Sequence, residues 1–532
     1  MPASDSAPLD AGPYDGLSLY VGDIHNHCGI SYGHGSLDDA FRNARLQLDF
    51  ASVTGHAWWH DIPRDSAELA ELVDYHDEGF ARLESLWPEV TETTEAYNQE
   101  GEFASFLSFE WHSSQYGDHC VYYRDGKGPL LRSPNLARLQ QDMRRLRRQG
   151  VALMAIPHHV GYRQGWRGAN WTTFTNEFSP VVEIISMHGC GESDDAPRPY
   201  LHTMGPREGN NTAVRGLRDG LRFGFIGSTD HHSAHPGSHG YGRMAVWADE
   251  LTRQSLWRAV HARHTYAITG DRIEMRTGLN DAIMGESTPA TDRRTVWADV
   301  RGLDKIDYVE VLRNGEVIER VGTVANHPRD RFSGVVSLSV GWGEANRDRV
   351  WDVSIEVVDG ELVSVEPRLH GHDVVAPTNH VPHSYCQSWW LRESSHRVQL
   401  HTRTSGNPNV LTDATQGLAL RIVGHRSTTI TVEVDGNRTT HTLAELRQAS
   451  RVRYPGTVFG GAYKLHQAVP DEQCSQSFAF DDDRPSGTTD WYYVRARQVN
   501  DEWAWSSPIW VEGSGDRQSP TTAETTSSDA EG

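Results

Sequence analysis

Histidine and acidic side chains recur in this chain immediately after short apolar runs. That placement constrains the fold more than any other feature of the sequence. In Asp23-Ile24-His25-Asn26-His27, two histidines leave the strand-like run 18–22 two residues apart, so they share one face. His34 follows in a glycine-flanked turn, and His56 follows the run 50–54. Glu110 follows 106–109, His158 and His159 follow 151–156, and His188 follows 181–186. Asp230 and His232 follow 223–226. In α/β folds the pole where strands end gathers side chains from distant parts of the chain. Coincidence at six successive run ends is a poor account of this pattern, so these side chains are expected to converge on one site.

The rest of the first half supports that frame. Ser36 to Asp39 reads as a capping box with Asp in the place of Glu. Leu37, Phe41, Ala44 and Leu48 then follow at helical spacing. Helices are expected over 65–86, 135–149 and 256–263, with Gly150 stopping the second. Strand and helix alternate, which predicts a mostly parallel α/β unit over 17–272. After residue 272 the texture changes. Runs near 308–312, 335–340, 351–358 and 428–434 are β-branched or alternating, and Asn314-Gly315 and Asp435-Gly436 punctuate them. Residues 273–512 therefore read as a β-rich, sandwich-like region. Residues 513–532 lack large apolar side chains and read as a disordered tail, and 1–16 as an untidy N-terminus.

Composition narrows the function classes. The net charge of −22 repels phosphate backbones, so nucleic acid is not an expected partner. No run approaches the length of a membrane span, and none is expected. Five cysteines with no framework spacing, and no visible leader segment, favour a cytoplasmic setting. Imidazole and carboxylate donors without a cysteine cluster suit Zn, Mn or Fe in a catalytic rather than structural role.

These segments resemble the PHP (polymerase and histidinol phosphatase) superfamily over about residues 18–272. They resemble most its branch known as the domain of unknown function 3604 family. Residues 263–272, 313–315 and 503–510 resemble later signatures of that branch. The resemblance implies a distorted (β/α)7 barrel with two or three divalent ions at its strand ends. It implies His25, His27, Glu110 and Asp230 around a first ion, with Glu110 bridging to a second ion held by His158 and His188. It implies His34, His56 and His232 around a third. His158 is preferred to His159 for its nearness to the strand end. Two departures stand out: Cys28 follows His27, and Gly55 replaces an Asp before His56. The second weakens the expected support of the third ion.

The resemblance implies a multinuclear hydrolase using metal-activated water on a small phosphoester, monoester or diester. Asp230 and Glu110 are the candidate catalytic groups. His119 is a further candidate that would protonate a leaving group. Arg163, Arg167, His159 and His231 are candidate substrate contacts, because guanidinium forks onto phosphate. The alternatives are hydrolysis of a C–N or other non-phosphate bond at the same centre, or a non-catalytic ligand-binding protein.

Overall fold

The computed structural model describes residues 12–198, 206–322, 330–342, 348–372, 384–404, 415–455, 461–483 and 489–513. The expected tail beyond 513 and residues 1–11 lie outside these. The rest of the N-terminal segment is built into the fold. Tyr14 is buried, its hydroxyl donates to the Thr277 carbonyl at 2.9 Å, and its ring packs edge-on against Trp247.

The fold is mixed α/β, with a large β-rich part. Ser18–Asp23, Phe50–Ser52 and Ala104–His112 run parallel as neighbours, and Gly55–Trp59 also lies parallel to Ala104–His112. The capping box at Ser36 forms as expected, with Asp39 in the reciprocal role, and opens the helix Leu37–Ala44. The second helix runs further than periodicity indicates: Ala70–Tyr97 continues through Pro88 to Asn98.

The expectation of a mostly parallel first half needs correction. Ala104–His112 continues antiparallel into His119–Tyr123 and then Leu153–Pro157. On the other side, Ser18–Asp23 pairs antiparallel with Arg243–Ala248, which pairs antiparallel with Thr265–Ile268. Alternating hydrophobicity cannot distinguish the two directions, because all of these strands but Ser18–Asp23 are buried on both faces. Val181–Ser186 and Gly224–Gly227 are parallel neighbours in a separate three-stranded sheet. Among the described residues the ladders do not close into a ring.

The first sheet also recruits the end of the chain. Thr265–Ile268 pairs with Trp503–Ser506, which pairs with Trp491–Gln498, which pairs with Ile306–Arg313. Trp503, Trp505 and Trp510 pack with Phe223, Phe225 and Ala267 in one apolar cluster. Most of the β-rich part forms a nine-stranded antiparallel sheet with its own core. Its two longest strands, Arg349–Arg368 and Gln416–Val434, pair along nearly their full length with two bulges. The Asn314-Gly315 and Asp435-Gly436 turns are tight two-residue hairpins, with positive φ at all four residues. All five cysteines are free. Among the described residues, no helix is long and apolar enough to cross a membrane.

Candidate metal centre

The expected convergence occurs. His25 and His27 sit just past Ser18–Asp23, and Glu110 lies near the end of Ala104–His112. His158 follows Leu153–Pro157, and Asp230 follows Gly224–Gly227. All five are buried. Asp230 adopts a left-handed backbone (φ 53°), which turns its carboxylate back toward the strand ends.

Three donor atoms form a tight triangle. His25 Nε2 and His27 Nε2 are 3.2 Å apart. Asp230 Oδ1 lies 3.3 Å from the first and 2.9 Å from the second. Bonds of about 2.0–2.1 Å to a tetrahedral ion imply donor spacings of about 3.3 Å. The triangle therefore has the size of one face of a metal's coordination shell. The other Asp230 oxygen lies 3.0 Å from His188 Nε2.

Glu110 extends the centre. Its Oε1 is 2.7 Å from His158 Nε2 and 3.3 Å from His112 Nδ1. Its Oε2 is buried and accepts no hydrogen bond, yet His56 Nε2 stands 3.4 Å away and His27 Nε2 3.6 Å away. An unpaired buried carboxylate oxygen is costly unless something electropositive meets it. A cation among Glu110, His56 and their neighbours fits that requirement. The donor atoms of His27, His56 and His232 also gather within reach of one ion.

The imidazoles are set by their far nitrogens. His25 Nδ1 donates to Glu183 Oε2 at 2.9 Å, His27 Nδ1 to the Thr54 carbonyl at 2.5 Å, and His232 Nδ1 to the Asp230 carbonyl at 2.7 Å. With the far nitrogen so engaged, Nε2 is the atom each ring turns toward the other donors. At His56 the missing Asp has a replacement: Ser31 Oγ meets Nδ1 at 2.8 Å. There is also no room for a side chain at Gly55, where a Cβ would come within 2.5 Å of Leu83 Cδ1.

Electrostatics separate the rings: burial would lower His25 and His158 too, but Cys120 and the carboxylates beside them overcome it and raise both. Burial holds His27, His56, His159 and His232 below the ordinary imidazole range, so they are neutral at pH 7. Burial alone would raise Glu110 and Asp230. Nearby imidazoles, His112 and His158 for Glu110, and His25 and His188 for Asp230, overcome it and keep both ionised.

The remaining candidates divide. His159 and His158 both belong, with His159 Nε2 3.5 Å from Asp118 Oδ2. Arg167 is inside the centre, with its guanidinium on Asp118. His34 is tied to His232 by a backbone bond of 2.8 Å, but its ring stands outside the donor groupings above. His231 shares its backbone with the site, while its ring lies toward His235 and Tyr241. Arg163 is exposed. His119 faces away from the donors, for a simple reason. Cys120 pairs directly with Glu110 and shares its face, so strand alternation sends His119 to the other side, among Leu136, Leu139 and Met143. Cys28 is a core residue whose burial pushes its thiol up to about 12.

Four residues of the centre escaped sequence reasoning as site members. Asp118 Oδ2 lies 3.2 Å from His112 Nδ1 and joins Glu110, His158 and His159 in one donor grouping. Cys120 Sγ is 3.7 Å from His158 Nδ1, and Glu183 backs His25. His112 closes the strand that carries Glu110, two residues further on. A usable signal existed for Glu183: a lone acid within the apolar run Val181–Ser186.

Residues 55–193 and 236–280 match the family described as "Protein of unknown function (DUF3604)". An uncharacterized protein of Chlamydia pneumoniae is 25% identical over 287 residues, covering 50% of this chain and 46% of the relative. An uncharacterized protein of Chlamydia muridarum is 25% identical over 262 residues, covering 45% and 42%. The chain thus spans less than half the length of these relatives. Among solved structures, a two-domain protein from Bacteroides vulgatus ATCC 8482, described as containing a predicted PHP-like metal-dependent phosphoesterase, aligns over 83% of this chain and 100% of its own. The identity is 12% and the TM-score 0.30.

Proposed function

We propose that this DUF3604 relative is a metal-dependent hydrolase acting on a small phosphoester, monoester or diester. The observation that carries the reading is the His25–His27–Asp230 triangle beside the unpaired Glu110 oxygen. Two or three divalent ions, Zn, Mn or Fe, would be held by His25, His27 and Asp230, by Glu110 with His56 and His232, and by His158 with its neighbours. Such ions supply Lewis acidity and make water nucleophilic near neutral pH.

The chain's own groups do the rest. Asp230, ionised at neutral pH, is the acceptor for the proton released by the attacking water. Glu183, Thr54 and the Asp230 carbonyl hold three imidazoles in the tautomer a ligand needs. Tyr32 stacks on His56 and Trp59 lies beneath the Arg167 guanidinium, so aromatic rings wall the centre and limit bulk water. We assign the chemistry to 17–272. The 273–512 region serves as a cover. Gly371 lies against His231 and His235, and the His372 carbonyl accepts from Ser233. A small substrate accords with a site this enclosed.

The test is cleavage of chromogenic phosphate mono- and diesters by metal-reconstituted protein, with metal content measured on the same sample. Cleavage lost in His25→Ala and Glu110→Ala supports the reading. Bound metal without cleavage of either ester turns the assignment to a C–N or other non-phosphate bond.

A further inference from the structure

Arg167 occupies a place built for a cation. Glu110, Asp118, His158 and His159 offer donor atoms close enough to share one ion, and all four are buried. The Arg167 guanidinium already fills that corner. Its Nε and Nη2 both lie 2.6 Å from Asp118 Oδ2. Nη2 is 3.0 Å from His112 Nδ1 and 4.0 Å from Glu110 Oε1. His112 Nδ1 also lies 3.2 Å from Asp118 Oδ2, so imidazole and guanidinium converge on one carboxylate oxygen.

The arrangement is held from several sides. Arg167 has a left-handed backbone (φ 66°), uncommon for a residue with a long side chain. The following Gly168 has no space for a Cβ, which would meet the Tyr162 carbonyl oxygen at 2.2 Å. The guanidinium also lies 4.9 Å from the Trp59 ring centroid, a cation–π contact. Backbone strain sustained by close packing at Gly168 and Trp59 fits a fixed charge rather than a mobile surface arginine.

We infer that Arg167 is a built-in substitute for one divalent ion, so that the centre takes two ions and a guanidinium instead of three ions. A divalent ion at the Asp118 corner would face the guanidinium at contact distance in a buried, poorly screened setting. The donors remaining for ions are His25, His27 and Asp230 as one set, and Glu110 Oε2 with His56 and His232 as another. Arg167 is here a positioning and charge-balancing residue.

This inference rests on the metal-centre reading above, and the experiment separates the two. The full chain is stripped, reloaded with excess Mn²⁺ and desalted, and Mn per folded chain is measured by mass spectrometry. Wild type is expected to hold two equivalents and Arg167→Met three, because removing the guanidinium leaves the Asp118 carboxylate to recruit an ion. Arg167→Lys, which keeps the charge, is expected to hold two. Three equivalents in wild type overturn the inference and leave the metal centre standing. So do two equivalents in Arg167→Met that is folded by circular dichroism. No bound metal in wild type overturns the metal-centre reading, and the inference with it. If Arg167→Met does not fold, the counts in wild type and Arg167→Lys decide.

Discussion

Arg368 forks onto Asp271, with Nε 2.6 Å from Oδ1 and Nη2 2.7 Å from Oδ2. Arg368 ends a long strand of the nine-stranded sheet, and Asp271 follows the last strand before residue 272. Asp271 also accepts from Gln498 at 2.8 Å and Asn500 at 2.9 Å, so one buried carboxylate ties three parts of the chain. Removing one partner of a buried pair leaves the other charge uncompensated, at a cost of about 3–5 kcal/mol. Arg368→Gln is expected to lose about that much stability in urea denaturation at pH 7.

The same joint has a pH signature. Burial would raise Asp271, but Arg368 and His239 hold it well below the ordinary carboxylate range. A depressed folded pKa adds stability above the unfolded value of about 4, and that stability drains away as pH falls below it. The gap between wild type and Arg368→Gln is therefore expected to be widest near neutral pH and to narrow in acid. A gap that stays constant from pH 7 to pH 3 would contradict the assignment.

Glu183→Gln should act on metal binding without touching an ion. Its carboxylate receives the His25 Nδ1 proton, and such partners are worth roughly 10–100-fold in metal affinity. Chelator competition is expected to show a loss in that range with the thermal midpoint nearly preserved. Unchanged affinity would mean that His25 needs no such support.

Gly55 marks a packing limit beside His56. An added Cβ would meet Leu83 Cδ1 at 2.5 Å and Ile30 Cδ1 at 3.2 Å. Overpacking of this kind costs about 1–3 kcal/mol. Gly55→Ala is expected to be destabilised by that amount, and the double variant with Leu83→Ala to be less destabilised than the sum of the two. Strict additivity would place the strain elsewhere.

The centre was legible where its donors follow their own strands, as His25, His27, His158 and Asp230 do, and His56 opens the next strand, Gly55–Trp59. It was illegible where membership depends on pairing between strands. Cys120 and His119 are adjacent in sequence, and only the Glu110–Cys120 register decides which one faces the donors. Asp118 enters because an antiparallel turn returns it to His112, a direction that buried strands do not encode in their hydrophobic pattern. The β character after residue 272 was legible from its turns. The return of 491–512 to the first sheet was not, because Trp503-Ala504-Trp505 pairs with a strand more than two hundred residues earlier.

A fragment ending at residue 272 should not fold by itself. It would expose Thr265–Ile268 as an unpaired edge and strip Trp503, Trp505 and Trp510 from Phe223 and Phe225. Expressed alone, it is expected to aggregate or to lack a cooperative thermal transition. A soluble fragment with a sharp transition would show that the C-terminal strands are dispensable.

The Ala267↔Trp505 pairing also sets a schedule for synthesis. Ribosomes add about 5–20 residues per second, so the partner of this strand emerges roughly 10–50 s after it. Throughout that interval the nascent sheet carries an open edge and an uncovered aromatic pocket. Chaperone occupancy on the growing chain should therefore persist until Trp503–Ser506 has left the exit tunnel, long after the candidate donor side chains have emerged.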